Sequence, residues 1–458
     1  MGEGPSLGRS SGPLPFDSSR SDALGRASQR AWPRKAEVLI LGGGIVGTSL
    51  AWGLAQRGVA GVVVVDLDLA GLYASSELNA GGARATWWQP VNIESCRLTL
   101  DFFRDHREEL GFREHGYLWL YDDAALYARA REKRSLQNAH GLGVELLPPG
   151  AVSERFPLVD RHLEDLVGAT FSPRDGLVNP NAVRARYRRE AEALGVAFLD
   201  HHYAAGVETR LVEGAAGRLR RITAVDLVDV GAHSFAERER GVEEILTTHR
   251  VPQSLRGEES RLECEVLVNC LGAWSPILSA KLGLADPTQP VRRQITLVDV
   301  HPEDRAPGVD FERLGMVVDA SGLYLHGEGP HVLAGYSNPD EGSGYDFHFD
   351  GRDFFEREIW PRLAQRASSF ERCGLVRGWA GLYAVTPDCS GIAGAVASFA
   401  NLFEAHSFTG RGVMQSYAVG RAMAARISDG RFEEVDLSSL SRERFADPAR
   451  WVKEDLHI

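Results

Sequence analysis

Glu37–Leu41 reads EVLIL, an apolar run of the length of a short buried strand. Behind it Val46, Leu50 and Leu54 recur at helical spacing through Ile45–Gln56, and a second apolar run, GVVVVD, ends at Asp66. A short apolar run, a period of 3.6 and another apolar run predict a strand, a helix and a parallel strand. Further along, residues 92–110 read as helix through Leu98, Phe102 and Leu110, and GYLWLYDD at 116–123 alternates as a strand. A helix is expected from Pro180 to Leu194 and strands at Val196–Leu199 and 220–230. The charged stretch 231–261 reads as a surface excursion between two strands of a hairpin. CEVLVNCLGAW at 264–274 reads as an apolar strand running into glycine, and ITLVDV and HVLAGY as strands within 291–336. The chain then closes with a strand, a glycine-broken turn and a helix from Val413. This order predicts an α/β chain, α+β overall, with a Rossmann-type unit interleaved with an antiparallel sheet.

The turn between the first strand and helix carries chemistry. LGGGIVG places Gly42, Gly44 and Gly47 in G-x-G-x-x-G. Gly42 permits a tight turn, Gly44 lets the backbone approach a pyrophosphate, and Gly47 lets helix and strand pack closely. Ile45 and Val46 open the helix, whose free N–H groups and positive dipole end suit an anion. Asp66 lies 24 residues after Gly42, at the end of the second strand, where a carboxylate caps an adenosine ribose. A dinucleotide site is expected.

Bulk properties narrow the partners. The chain has 458 residues, enough for two or three domains, and a formal charge of −12, which disfavours nucleic acid as a main partner. No apolar stretch approaches the roughly 18 residues that span a bilayer. The five cysteines are scattered without a C-x-x-C pair, so neither a metal site nor a disulfide framework is expected. Residues 1–33 are rich in Gly, Ser, Pro and Arg and read as a disordered tail. The corresponding expectation is a cytoplasmic protein, the alternative being mitochondrial with this segment as a transit peptide.

LGGGIVGTSLAWGLAQRG, ASSELNAGG, DGLVNP, VLVNCLGAWS, PVRRQ, WAGLYAVTPD and FTGRGV occur in this order over about residues 36–440. Together they resemble the FAD-dependent D-amino-acid oxidase superfamily, in its glycine oxidase, sarcosine oxidase and dimethylglycine dehydrogenase branch. The resemblance implies FAD rather than NAD. It implies an FAD-binding domain from 34–115, 171–290 and 375–440, a substrate or cap domain from 116–170 and 291–374, and an extension at 441–458. Gly42, Gly44 and Gly47 would then face the pyrophosphate, and Ser75 and Ser76 would donate to phosphate. Asn79, Ala80, Gly81 and Gly82 would run along the flavin, and Tyr203 would meet adenine. Cys270, Leu271, Gly272 and Trp274 would flank the pyrophosphate and ribose. Gly410, Arg411, Gly412, Val413 and Met414 would bring a helix N-terminus to the flavin, where its dipole would stabilise reduced flavin.

Departures from the family pattern also carry information. Members with covalent flavin use a His near position 79 or a Cys near 381, where this chain has Asn79 and Gly381. Non-covalent FAD is expected. Cys389 reads as a buried small residue. Sarcosine-type members have His then Lys in the final glycine turn, where Arg411 and Met414 stand here, so sarcosine is disfavoured as the substrate.

The activity implied is oxidation of a C–N bond in an amino acid or secondary or N-methyl amine. A hydride passes to flavin N5 and the imine hydrolyses, so the protein mainly orients substrate and tunes the flavin. An arginine fork suits a substrate carboxylate, and Arg84 and Arg411 lead over Arg293 and Arg377. Tyr324 and Tyr383 are candidates to close the pocket, and His326 and His406 are weaker ones. No lysine is evidently placed for oxygen activation, which tilts the electron acceptor from oxygen toward a quinone or carrier protein. The resemblance also admits a flavoprotein acting mainly in assembly of respiratory complex I, with that complex's subunits as partners.

Overall fold

The computed structural model describes residues 33–214, 217–231 and 235–455. The expected N-terminal tail lies, but for Pro33, outside the described residues. Two eight-stranded sheets dominate the unit Lys35–Ile458. In the first, the strands run in the order Ile392–Ala395, Leu402–His406, Glu259–Asn269, Lys35–Leu41, Val62–Val65 and Ala197–Leu199. All pairs along that path are parallel except the edge pair Ile392–Ala395 with Leu402–His406. Helices cover a parallel sheet on both faces, so its strands are apolar throughout rather than alternating. Val62–Val65 accordingly is buried at every position.

The first helix, Ile45–Gln56, packs against the last, Gly412–Asp429, through two glycines. A Cβ on Gly420 would stand 2.2 Å from Ser49 Oγ, and one on Gly53 3.0 Å from Ala424 Cβ. Only hydrogen at these positions lets the two backbones come this close. That contact sets both helix N-termini on one side of the sheet.

The second sheet runs Gly374–Val385, Gln289–Asp299, His331–Tyr336, Leu323–Glu328, Met316–Val318, Tyr117–Tyr121, Gly168–Ser172, Glu145–Leu147. It is antiparallel except where Met316–Val318 lies beside Tyr117–Tyr121. Two expected boundaries are corrected. Gly374–Val385, placed from residue 375 in the cofactor half, pairs along Gln289–Asp299 in the second sheet. Gly168–Ser172, cut at 170/171, pairs whole with Tyr117–Tyr121. Each has local strand character, but its partner is chosen by contacts far away in sequence.

Two more elements differ from expectation. The strand His202–Gly214, which sequence reading missed, forms a long hairpin with Gly217–Asp229, and the latter pairs with Glu259–Asn269. The intervening charged excursion contains a helix, Phe235–Thr248. The C-terminal extension folds back into the core: Arg444 forks onto Asp388 at 2.7 and 3.0 Å, both side chains being buried. No helix among the described residues is long and apolar enough to cross a membrane.

Candidate active site

A groove opens at the carboxyl ends of the parallel strands. The fingerprint turn forms its floor. Gly42 has φ +104°, donates to Val65 O at 2.9 Å, and would put a Cβ 2.4 Å from Cys270 O. A Cβ on Gly47 would lie 1.9 Å from Gly42 O, so Gly47 packs behind the turn and not on the groove. A Cβ on Gly44 would meet nothing nearer than Ser76 Oγ at 3.6 Å, because that face of Gly44 looks into the groove. The helix that starts there has no side-chain cap, which leaves its first N–H groups for an anion. The last helix is likewise uncapped, and Gly410, Gly412 and Val413 bring its N-terminus to the same groove.

Asp66 lines the groove and accepts from Gly43 N at 2.5 Å and Asp68 N at 2.9 Å. Burial, set only partly against these two amides, pushes its carboxyl up to about 6. A ribose hydroxyl donating to the carboxylate favours the charged form. FAD affinity is therefore expected to fall as pH drops below about 6, by up to about tenfold per unit, because Asp66 must first lose its proton. Titration of the apoprotein with FAD between pH 5 and 7.5 checks this, and Asp66→Asn is expected to flatten the profile.

Most expected cofactor residues meet on this groove: Ile45, Val46, Ser75, Ser76, Asn79, Tyr203, Cys270, Leu271, Gly272 and Trp274 join those above. Ser75 requires a correction. Its hydroxyl proton goes to Leu382 O at 2.6 Å, which ties the loop to the second sheet, so of the two serines Ser76 is left for phosphate. Asn79 shapes the turn, donating to Ser76 O and accepting from Gly81 N, both at 2.8 Å. Ala80, Gly81, Gly82 and Met414 do not line the groove. Gly82 pairs with Leu177, Met414 is core, and Ala80 O lies 2.8 Å from His326 Nε2.

The substrate candidates divide. Tyr383 lines the groove, its ring packed where a Cβ on Gly410 would fall, while Tyr324 is buried in the core with Tyr117 and Trp119. Arg84 and Arg411 also lie off the groove lining, fully within the protein, and both stack on Trp87. Their guanidinium carbons stand 3.5 and 4.6 Å from its ring centroid. Arg84 donates to Thr86 O at 3.1 Å, and burial lowers it to about 10. Arg411 is 0% exposed, and none of Nε, Nη1 and Nη2 has a hydrogen-bond partner among the described residues. Burial lowers its pKa too, opposed chiefly by the charge of Glu454. Arg377 is exposed on its strand, and Arg293 bonds Arg292 O.

His406 lines the groove with Nδ1 2.7 Å from Ser407 Oγ and Nε2 3.4 Å from Glu404 Oε2. Sequence reading missed Tyr73, Ile245, Leu246, His249 and Lys281, which also line it. Val242, Ile245 and Leu246 sit at i, i+3 and i+4, a helical stripe within the charged excursion that marks a buried face.

The uncapped helix ends, the open face of Gly44 and the carboxylate at the second strand's end fit an adenine dinucleotide, and the second helix end fits a flavin. The DAO family, FAD dependent oxidoreductase, matches residues 37–426, and the chain belongs to this family: it is an FAD-dependent oxidoreductase. Among its relatives, FAD-dependent oxidoreductase domain-containing protein 1 of Xenopus laevis is 30% identical, the match covering 93% of this chain and 84% of that protein. In fold it is similar to L-proline dehydrogenase from P. horikoshii, with TM-score 0.72 and 22% identity over 91% of this chain and 99% of that one. Glycine oxidase from Geobacillus kaustophilus gives TM-score 0.66 and 20% identity over 89% and 98% of the two chains.

Proposed function

We propose that the protein oxidises the C–N bond of a small amino acid, N-methylated or otherwise secondary at nitrogen, and that Arg411, set behind the groove wall between the lining residues Gly410 and Gly412, turns toward the groove to hold the substrate's carboxylate. The observation that carries this is the Arg411 guanidinium, wholly buried with none of its three nitrogens hydrogen-bonded among the described residues. A cation kept from water without hydrogen bonds is costly, and a ligand carboxylate supplies both charge and planar acceptors. L-proline dehydrogenase and glycine oxidase, to which the fold is similar, are both named for small amino acids, and proline is secondary at nitrogen.

FAD, when bound, supplies the two-electron acceptor for the hydride leaving the carbon beside nitrogen. The chain's own residues bind and orient. Gly42–Val46 and Ser76 hold the phosphates, Asp66 the ribose, and the last helix directs its positive end toward the flavin. Trp87, whose ring both Arg84 and Arg411 approach, helps fix the two arginines and shield them from water. Tyr383, beside Gly410 at the groove, closes the reacting face.

The flavin is held without a covalent bond. Gly381 offers no nucleophile, the Asn79 amide is spent on backbone, and Cys389 lies off the groove. Lys281 does line the groove, but its ammonium is held by Ala204 O and Ala205 O at 2.7 and 2.9 Å, near Tyr203 and away from the final glycine turn. This supports a quinone or carrier protein as electron acceptor.

Acid precipitation of the yellow protein is expected to leave the colour in the supernatant as FAD. Anaerobic addition of proline, sarcosine, N-methylalanine and glycine, with pyrrolidine as the control lacking a carboxylate, tests the activity. Bleaching near about 450 nm by an amino acid but not by pyrrolidine is expected. Full FAD occupancy with no bleaching by any of them would count against the enzymatic reading and support the assembly role.

A further inference from the structure

The helix Phe235–Thr248 is not needed to complete the sheet that contains it. Val228 already stands opposite Glu259 in the ladder, so a short turn would join these strands. The chain instead runs through about thirty residues between them. This insert covers part of the groove: Ile245, Leu246 and His249 line it together with Asp66 and Tyr203.

Three hydrogen bonds tie the helix to the groove. Trp274 Nε1 donates to Leu246 O at 2.8 Å, Tyr203 Oη to His249 O at 2.8 Å, and Tyr73 Oη to Glu243 Oε2 at 3.0 Å. The first two accepting carbonyls lie in and just after the last helical turn, where no intrahelical donor remains. The groove wall thus finishes the helix. Beneath it, Val242 and Ile245 pack on Leu67 and Val228.

A second element reaches the same place from the other sheet. The segment after His331–Tyr336 carries Tyr345, whose hydroxyl donates to Ala273 O at 3.0 Å and whose ring meets His249 edge-on at 4.4 Å. Phe347 stacks on Trp274 and contacts Tyr73. Arg292 anchors the segment's base, pairing with Glu341 at 2.8 Å and with Asp346 and Asp350 at 3.1 Å.

We infer that the inserted helix and this aromatic segment form a clamp over the adenosine half of FAD, setting the rate at which the cofactor exchanges. The wall chemistry is that of a purine nucleoside site: Tyr203, Leu246, Trp274 and Ile277 offer flat or apolar surface, and Asp66 marks the ribose. FAD leaves when the helix lifts and its three latching bonds break. FMN, which lacks the adenosine half, occupies only the rest of the groove.

The test compares FAD and FMN on the full chain by flavin fluorescence, using Trp274→Phe and, at the rim, Tyr73→Phe. Each variant removes one latching donor and keeps an aromatic ring in place, the phenyl of Tyr73→Phe unchanged and the indole of Trp274→Phe reduced to a phenyl. Each is expected to release FAD about fivefold faster than the unmodified protein, with FMN affinity unchanged. Unaltered FAD release in both variants overturns the clamp. So does proportional weakening of FAD and FMN, which would reflect a general loosening of the groove.

Discussion

A Gly44→Val protein is expected to fold with unchanged stability and to purify colourless. The two parts of this result have separate causes. A Cβ added here meets no protein atom closer than Ser76 Oγ at 3.6 Å, and Gly44 itself sits at φ −69°, open to any residue. The apoprotein should therefore unfold within about 0.5 kcal/mol of the unmodified one. The branched side chain then fills the space where the pyrophosphate approaches the backbone, and FAD occupancy should fall below about a tenth. Gly47→Val is the contrasting case. Its Cβ alone collides with Gly42 O at 1.9 Å, so expression and thermal stability should be lost together with flavin. Full FAD occupancy in Gly44→Val would show that the fingerprint faces something other than the dinucleotide.

The second large effect is at Arg411. Arg411→Met keeps an unbranched stem of similar volume and removes a buried charge that has no hydrogen-bonded partner among the described residues. The ligand-free protein should gain roughly 1–3 kcal/mol, since replacing buried ionic groups by apolar ones of similar size is often stabilising. Substrate affinity should fall at least about a hundredfold, read as a rise in KM. The pairing of these effects is diagnostic. If Arg411 were a structural cation neutralised by Glu454, its loss should instead destabilise the protein by roughly 3–5 kcal/mol and leave KM alone. Melting curves without ligand and bleaching titrations with the substrate distinguish the two.

The stretches legible from sequence are those whose local chemistry allows one outcome. Gly42, Gly44 and Gly47 between an apolar strand and an apolar helix have few uses, and Asp66 ends a four-valine run at the spacing expected of a ribose contact. The glycine turn at 410–412 was equally readable, because the strand before it and the helix after it have clear periods. Ser75 was readable as a loop hydroxyl but not as a donor to Leu382, since that carbonyl comes from a strand 307 residues away. The helix Phe235–Thr248 was hidden by its charge: six of its fourteen residues are Glu or Arg, which outweighed the stripe at Val242, Ile245 and Leu246.

What the sequence by itself determined is thus the glycine turn with its flanking strand and helix, the closing strand, turn and helix, and the family's FAD. Period and glycine spacing report which face of an element is apolar and where the backbone must turn, and both act within a few residues. Only the tertiary structure decided that Gly374–Val385 joins the second sheet, that an inserted helix lines the groove, and that Arg84 and Arg411 lie buried on one tryptophan ring. These depend on what covers an apolar face and which distant group meets a polar one. A guanidinium reads the same in sequence whether water or a tryptophan surrounds it, and only the packed fold separates the two.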